Sequence, residues 1–352
     1  LNLKKAITFL VGIIISIGSL AIVLKDVEFK NLFEIISKLS WPLTISAFIA
    51  NIIIMIISFY VRAIRWKILL GEDVFIKHKD ISKISHNLSL KTLFESISLG
   101  AFATFILPFR AGEFVRPAIL AKDTKVSFVK GLSSCFIERV FDLSFVLIGF
   151  ALLFNDRSKL PESFSVVADL LNLILVGIFV FLFLITIYRT WFLRVASYIF
   201  SITFDRVNKK FSEIFFKITE QVIEGLTSIG SFGRFIEVSL WTVLLWFFQA
   251  IPFVITFINF EIFSNIFKPV IELLIIVALS VALPSAPGFL GTFQIGVDIT
   301  LTKLNSFDPN LSFAFSILNH LNSIICILGL GFFIMIRKGL TLISLKDKNT
   351  DS

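Results

Sequence analysis

The chain has 352 residues, of which 56% are hydrophobic, and its mean hydropathy is +0.92. A soluble domain is not this apolar, so the sequence predicts an all-α protein that crosses a membrane several times. The net charge is +8, but the Lys and Arg residues cluster in loops that alternate with apolar runs. This pattern is typical of cytoplasmic loops at an anionic membrane face, and it argues against a nucleic-acid partner.

The first apolar run, about 6–24, is too long for the hydrophobic region of a signal peptide, and no cleavage pattern follows it. It is therefore predicted to remain as a transmembrane helix. The mixed segment 25–40 is expected to lie at the membrane interface, and a second span is predicted over about 41–61, anchored by Trp41. The basic residues that follow are expected to begin a cytoplasmic loop, and they are Arg62, Arg65, Lys67, Lys77, Lys79 and Lys83.

The apolar segment 88–121 is interrupted by Pro108 and Gly112, which break a helix. Each arm has only about 15 residues, whereas a span needs roughly 20. Because both flanks are basic, we expect a re-entrant hairpin that enters from the cytoplasmic side, with its tip at the break. The alternative is a pair of short full crossings, which would put the charges of the break in an outer loop.

The later part of the chain repeats this order. The predicted elements are spans at about 131–154 and 166–188, a basic cytoplasmic connector at 189–234 with an amphipathic helix at 211–229, a span at 235–257, a broken segment at 269–301 and a last span at 311–336. The charge pattern puts both ends of the broken segment outside. It is therefore predicted to be a second re-entrant hairpin, which enters from the opposite face.

These assignments give about six full spans and two re-entrant broken-helix hairpins in a single transmembrane domain, 1–352. The two halves, about 1–154 and 166–338, have the same element order in opposite orientation. That is the layout of an inverted repeat whose broken helices meet near the middle of the membrane. Basic residues follow the last span, so both termini are predicted to lie on the cytoplasmic side of the cell membrane.

Three charged residues flank the first break, namely Arg110, Glu113 and Arg116. Lipid cannot satisfy such groups, so they are expected to line a polar cavity. Two guanidinium groups and one carboxylate leave a net positive charge, and a guanidinium group binds phosphate through two parallel hydrogen bonds. The sequence therefore predicts a phosphate site. The alternative is an ion pair that satisfies itself and only stabilises the hairpin tip.

The next span opens with another group of charges, Glu138, Arg139 and Asp142, and the two carboxylates lie one helical turn apart. Charges so close to a membrane helix need partners. We expect Glu138 or Asp142 to pair with Arg110 or Arg116 of the neighbouring hairpin. The alternative is a network at the helix end, at the inner membrane interface.

Arg62, Arg65 and Trp66 end the second predicted span. They either hold a lipid headgroup or extend to the membrane interface as ordinary basic flanks. The second break carries no charge, and its nearest polar group able to face a cavity is Gln294. The bent backbone of the two breaks is assigned to Pro108, Gly112, Pro284, Pro287, Gly288 and Gly291.

The sequence shows no catalytic constellation. The three histidines have no metal-ligand spacing and there is no phosphate-binding loop, so we predict no catalytic residue, no metal and no cofactor, and we expect no enzyme activity. Asn319 and His320 are explained by hydrogen bonds between helices. Asp26 and Glu28 resemble the acidic pair of membrane glycosyltransferases that use lipid-linked sugars, which keeps such an enzyme as an alternative.

Four motifs come in a fixed order, and they are Arg62-x-x-Arg65-Trp66, Pro108-x-Arg110-x-Gly112-Glu113-x-x-Arg116, Glu138-Arg139-x-x-Asp142 and Pro284-x-x-Pro287-Gly288-x-x-Gly291. Together they resemble the transmembrane domain of lysylphosphatidylglycerol synthases over about residues 4–338. In two-part members a soluble C-terminal domain makes the aminoacyl lipid. No such domain is expected here, so the resemblance implies lipid translocation rather than tRNA-dependent synthesis. The family often has a Glu where this chain has Gln294, which implies a difference in substrate or coupling.

The expected function is the movement of an anionic phospholipid or a polyprenyl-phosphate-linked intermediate across the cytoplasmic membrane. The expected partner is this membrane lipid, and the sequence leaves open a homo-oligomer or a partner in envelope biosynthesis. A glycosyltransferase, or an accessory subunit that binds its partner through the connector 189–234, remains the alternative.

Overall fold

The computed structural model describes residues 3–72, 88–107, 112–153, 232–283 and 285–340, together with isolated residues between 173 and 219. Side chains are described from residue 13 onward. Within these ranges every regular element is a helix, as the sequence predicts. The predicted span 166–188, the connector 189–231 and the amphipathic helix 211–229 lie outside the described residues, apart from isolated positions.

Ten α-helices are described. They are α1 (Leu3–Leu24), α2 (Phe29–Ser37), α3 (Trp41–Leu69), α4 (Leu90–Ile106), α5 (Gly112–Asp123), α6 (Phe128–Leu153), α7 (Phe232–Asn259), α8 (Phe267–Ala282), α9 (Thr292–Asp298) and α10 (Pro309–Arg337). A short 3₁₀ turn, Pro287–Phe289, precedes α9, and a π-helical segment, Ile299–Leu304, continues it. The order of a long helix, a broken hairpin and a long helix occurs twice, as α3 to α6 and as α7 to α10.

Three of the described helices are both long and apolar enough to cross a membrane. These are α3, α7 and α10, with 29, 28 and 29 residues. A span of 20 residues covers about 30 Å of hydrocarbon, so each of the three can cross with residues to spare. The chain is therefore a multi-pass membrane protein, while the count of six spans and the sidedness of the termini stay predictions.

Two predicted boundaries change. The second span was expected to end near residue 61, but α3 continues to Leu69, so the prediction that a loop begins at Arg62 is wrong. An apolar run ends where charge begins, yet a helix continues where its charged side chains find partners inside the protein. Likewise α7 begins at Phe232, so Arg234 lies in this helix and its side chain is buried.

The chain divides into two compact units. The first unit comprises Leu1–Val61, Ile97–Arg116 and Leu244–Ser352, and the second comprises Arg62–Ser96 and Pro117–Val243. A division by contact does not test a repeat in element order, so the pseudo-repeat halves stay a prediction.

The first unit contains the facing arms of the first break. A side chain added at Gly112 would collide with the backbone of Gly100 and with the hydroxyl of Thr104. A Cβ added at Gly100 would come within 2.8 Å of the Cβ of Arg116. The start of α5 therefore folds back closely along α4, which only small residues permit. The close approach of the two arms agrees with a hairpin, while re-entry into the membrane stays a prediction.

The same unit contains the second hairpin, in which α8 and α9 pack against each other. A Cβ added at Gly296 would lie 3.0 Å from the Cα of Val277 and 2.9 Å from the hydroxyl oxygen of Ser280. Both hairpins are thus closed by a glycine set against a neighbouring backbone. A helix of 12 residues such as α5 is only about 18 Å long, too short to cross a membrane alone. This length favours the predicted re-entry, which stays a prediction.

Local sequence signals explain how α10 begins. Asp308 is its N-cap, and its carboxylate accepts hydrogen bonds from the backbone amides of Asn310 and Leu311 at 2.9 and 3.1 Å. Pro309 takes the first helical position, where a missing N–H costs nothing. Asn310 in turn accepts a hydrogen bond of 2.7 Å from the backbone amide of Glu28. The start of α2 is thereby tied to the start of α10, although a position of α2 at the membrane interface stays a prediction.

Candidate functional site

The end of α4, just before the first break, contacts the second break within the first unit. Phe105, in the last turn of α4, packs edge to face on Phe289, with the ring centroids 5.4 Å apart. A Cβ added at Gly288 would lie 3.7 Å from the same ring. The last turn before the first break therefore contacts the turn of the second break. The sequence predicted that the broken helices meet, but it did not identify Phe105 as the residue that joins them.

The second break has a strained backbone. Gly288 and Gly291 have φ angles of 72° and 85°, and Phe289 between them has φ 59°. Glycine adopts this left-handed region freely, whereas a Phe residue there must be held by its surroundings. Pro287 opens the 3₁₀ turn as predicted for a bent backbone, and Pro284 lies outside the described residues.

Helix α1 packs directly against this break. The Ser16 hydroxyl accepts a hydrogen bond of 2.8 Å from the backbone amide of Ala286. A Cβ added at Gly291 would collide with the backbone of Ser16. The glycine therefore serves a close backbone approach as well as a left-handed conformation.

Polar side chains satisfy the backbone of the second break. The Gln294 side-chain oxygen accepts a hydrogen bond of 2.8 Å from the Gly291 amide, and the Gln294 Nε2 lies 3.0 Å from Nδ1 of His320. The other nitrogen of His320, Nε2, lies 2.8 Å from the Gly288 carbonyl oxygen. All of these groups are buried. Gln294 thus bonds within the break, and the prediction that it faces a cavity gains no support from these contacts.

The first break keeps two of its three predicted charges within the described residues. Glu113 lies in the first turn of α5, where the helix dipole favours a carboxylate. Arg116 follows one turn later and is buried, with its Cβ against Gly100. Arg110 and Pro108 lie outside the described residues, so the predicted fork of Arg110 and Arg116 on a phosphate stays a prediction.

A second group of charges forms in the second unit, and we call it the arginine–carboxylate cluster. It consists of Arg62, Arg65, Glu138, Arg139 and Asp142, which come from α3 and α6. Arg65 is its centre, because one terminal nitrogen lies 2.7 Å from an Asp142 oxygen and the other lies 3.1 Å from a Glu138 oxygen. Arg62 approaches Glu138 at 3.4 Å, and Arg139 approaches Asp142 at 3.6 Å.

Two neighbouring side chains support this cluster. The Thr242 hydroxyl on α7 accepts a hydrogen bond of 2.9 Å from Arg65 Nη1. Trp66 follows Arg65 in α3, and its indole N–H donates to the Ser134 hydroxyl of α6 at 2.8 Å. This hydrogen bond is a second link between α3 and α6. Thr242 and Ser134 had no signal in the sequence, because a hydroxyl inside an apolar helix usually bonds its own backbone.

Exposure increases from the centre of the cluster outward. The side chain of Arg65 is 0% exposed, that of Arg62 is 20% exposed and that of Arg139 is 44% exposed. The interpretation that Arg65 extends to the membrane interface is therefore wrong, because two buried carboxylates hold it inside the protein. Arg62 and Arg139 remain able to contact a molecule outside the cluster.

The cluster carries a net charge of about +1, since it has three guanidinium groups and two carboxylates. The Nε atoms of Arg62 and Arg65 are both buried; that of Arg62 faces a Glu138 oxygen at 3.4 Å, whereas that of Arg65 makes no hydrogen bond. A buried donor without an acceptor is costly, so Arg65 has capacity for one further acceptor oxygen. The described partners of Glu138 and Asp142 are Arg62, Arg65 and Arg139, and the predicted pairing with Arg110 or Arg116 stays a prediction.

Asp26 and Glu28, the acidic pair on which the glycosyltransferase alternative depends, lie in the first unit. The Asp26 carboxylate accepts a hydrogen bond of 3.1 Å from Lys303, and this bond raises the pKa of Lys303. The Glu28 carboxylate accepts a hydrogen bond of 2.8 Å from Asn31. Each carboxylate thus has its own local partner, and no observation favours a catalytic role for the pair. Among the described residues, no group of His, Cys, Asp and Glu has the arrangement of a metal site.

These features define a class of protein, a helical multi-pass membrane protein in which the end of α4 contacts the second break and a buried arginine–carboxylate cluster joins α3 to α6. The family model of the lysylphosphatidylglycerol synthase TM region matches residues 9–331. The chain therefore belongs to that family, whose function concerns membrane lipids. No curated protein and no solved structure matches the chain.

Proposed function

We propose that this protein moves an anionic lipid between the two leaflets of the cell membrane and that arginine side chains hold the lipid phosphate. Membership in the lysylphosphatidylglycerol synthase TM family supports a lipid substrate. The protein acts in this proposal as a transporter without covalent chemistry. Its orientation, with both termini in the cytoplasm, follows from the charge of the loops.

The arginine–carboxylate cluster is the observation that carries the proposal. It has three guanidinium groups against two carboxylates, its Arg62 and Arg139 side chains are partly exposed, and the buried Nε of Arg65 makes no hydrogen bond. Phosphate oxygens are strong acceptors, and guanidinium groups bind them with charge-assisted hydrogen bonds. A one-to-one ion pair would lack the additional guanidinium group. The cluster therefore fits an anionic headgroup better than a purely structural network.

The arginines of the cluster have different roles in this proposal. Arg65, fully buried between Glu138 and Asp142, holds α3 and α6 together and orients its neighbours. Arg62 and Arg139, which are partly exposed, contact the phosphate. Arg110 and Arg116 at the first break stay predicted phosphate ligands, with Glu113 orienting them.

The broken hairpins provide the path. Non-helical backbone at membrane depth is tolerated only where protein or a water-filled cavity surrounds it. In transporters with inverted repeats, such breaks line the substrate site, and the repeats move to open it to each side. The contact between Phe105, at the end of α4, and Phe289, in the second break, supports this arrangement. We propose that the halves 1–154 and 166–338 form such a repeat.

A binding experiment tests the phosphate site directly. The purified protein in detergent is titrated with phosphatidylglycerol or with diacylglycerol of the same acyl chains, which lacks the phosphate, and its melting temperature is measured. Phosphatidylglycerol at ten times its Kd should stabilise the wild type by about 1.4 kcal/mol, whereas diacylglycerol should not. The R62Q/R139Q variant should lose this response.

The matched control is K38Q, which removes an exposed cation at the C-cap of α2 whose described partner is Glu34. It should respond to phosphatidylglycerol as the wild type does. Equal stabilisation of the wild type by the two lipids, or an unchanged response in R62Q/R139Q, would reject the phosphate site.

A further inference from the structure

The second break cannot hold its own shape through helical hydrogen bonds. Three of its residues, Gly288, Phe289 and Gly291, have left-handed backbone angles. The Phe residue at φ 59° is strained unless other groups fix it. The contacts that fix this segment therefore decide whether Phe289 reaches Phe105 and whether the two breaks stay together.

His320 supplies contacts at both ends of the segment. The direction of its hydrogen bonds follows from Gln294, because the Gln294 Oε1 accepts from the Gly291 amide and its Nε2 must then donate. The Nδ1 of His320 accepts this bond at 3.0 Å, so the proton lies on the other ring nitrogen. That nitrogen donates to the Gly288 carbonyl at 2.8 Å. The ring thus bridges Gly288 and, through Gln294, Gly291.

Stacking and helix packing keep the ring in place. Phe293 stacks on the imidazole with centroids 4.5 Å apart and an angle of 15° between the planes. The preceding residue, Asn319, donates to the Pro252 carbonyl and the Thr256 hydroxyl of α7 at 3.1 and 2.9 Å. Two adjacent residues of α10 therefore tie it to α7 on one side and to the second break on the other.

We infer that His320 is a positioning residue for lipid movement, which holds the second break in the conformation that brings Phe289 against Phe105. This inference rests on the proposed function for its transport readout, although the conformational part stands on geometry alone. The residue acts as a neutral imidazole with one donor and one acceptor. It contacts no lipid in this account, and its effect reaches the path through the backbone of Gly288–Gly291.

Three substitutions separate its two hydrogen bonds. H320F keeps an aromatic ring for Phe293 but removes both hydrogen bonds. H320Q can place an amide near the position of Nε2 and so keep a donor for the Gly288 carbonyl. H320N can place an amide near the position of Nδ1 and so keep a partner for Gln294. The control S323A, one turn along α10, removes only a bond to the carbonyl of its own helix.

Two measurements follow each variant. The first is hydrogen–deuterium exchange of a peptide that covers residues 285–296, in detergent. The second is the transbilayer movement of fluorescent phosphatidylglycerol in liposomes. H320F should exchange about tenfold faster in this peptide, and its lipid movement should fall about tenfold. H320Q and H320N should each recover part of the protection from exchange and part of the lipid movement. S323A should match the wild type in both measurements.

Unchanged exchange in H320F would overturn the inference. Faster exchange with unchanged lipid movement would also overturn it. In that case His320 would hold the conformation of the second break, but lipid movement would not depend on that conformation. If the wild type moves no lipid while H320F exchanges faster, the proposed function fails and the conformational role of His320 stands.

Discussion

Phe105 and Phe289 meet edge to face, with their ring centroids 5.4 Å apart, at the point where the two broken hairpins come together. They are separated by about half of the chain, and one lies in the last turn of α4 while the other lies inside the second break. The contact places the end of α4 directly against the second break.

The ring contact itself predicts a measurable coupling. In a double-mutant cycle with F105L and F289L, the interaction energy should be about 0.5–1.5 kcal/mol, the amount by which an edge-to-face pair exceeds simple burial. Thermal or denaturant unfolding in detergent gives the four stabilities. F253L paired with F105L provides the control, since Phe253 stacks on Phe315. A coupling of zero for the first pair would mean that the two breaks do not support each other.

Removal of Arg65 should be strongly destabilising. The variant R65Q leaves Glu138 and Asp142 buried without their shared cation, which costs about 3–5 kcal/mol. The variant should express poorly or melt far below the wild type. R139Q removes a partly exposed guanidinium of the same cluster and should change stability by less than about 1 kcal/mol.

The comparison of these two variants separates an arginine that stabilises the fold from one whose loss the fold tolerates. Similar stability of R65Q and R139Q in thermal unfolding would contradict the central role given to Arg65. We also expect the triple variant R65Q/E138Q/D142N to be more stable than R65Q. That result would show that R65Q loses stability because two buried carboxylates remain without a cation.

Gly291 offers a second stability prediction. G291A adds a Cβ that collides with the backbone of Ser16, at a φ angle of 85° that an L-residue adopts only with strain. Since backbone must move, the cost should exceed about 1 kcal/mol. G329A is the matched control, because an added Cβ there meets nothing within 4 Å inside helix α10. This variant should be neutral or slightly stabilising, and equal melting temperatures for the two would contradict the close packing of α1 on the break.

The elements that depend on local chemistry could be predicted from the sequence. Pro and Gly at 284–291 mark the second break, and the helices on either side begin and end within a few residues of their predicted positions. The first break follows for the same reason. Re-entry of each hairpin, which we infer because short arms cannot cross a membrane, stays a prediction.

The partners of buried charges could not be predicted. The sequence pattern of an arginine after an apolar run is the same whether its side chain extends to the membrane interface or is buried in the protein. The side chain of Arg65 is buried. Its partners Asp142 and Thr242 are 77 and 177 residues away. A similar limit applies to His320, since one sequence cannot show that its ring bridges Gly288 and Gln294. Long-range pairs of this kind arise from tertiary packing, not from spacing.

The most direct test of the central claim is lipid movement itself. The purified protein is reconstituted in liposomes with fluorescent phosphatidylglycerol, and the fraction of the probe open to chemical quenching from outside is followed over time. The wild type and K38Q should expose both leaflets, whereas R62Q/R139Q, folded and reconstituted to the same level, should expose only the outer leaflet over the same period. If R62Q/R139Q moves the lipid as fast as the wild type, the arginine cluster is not the phosphate site and the account is contradicted.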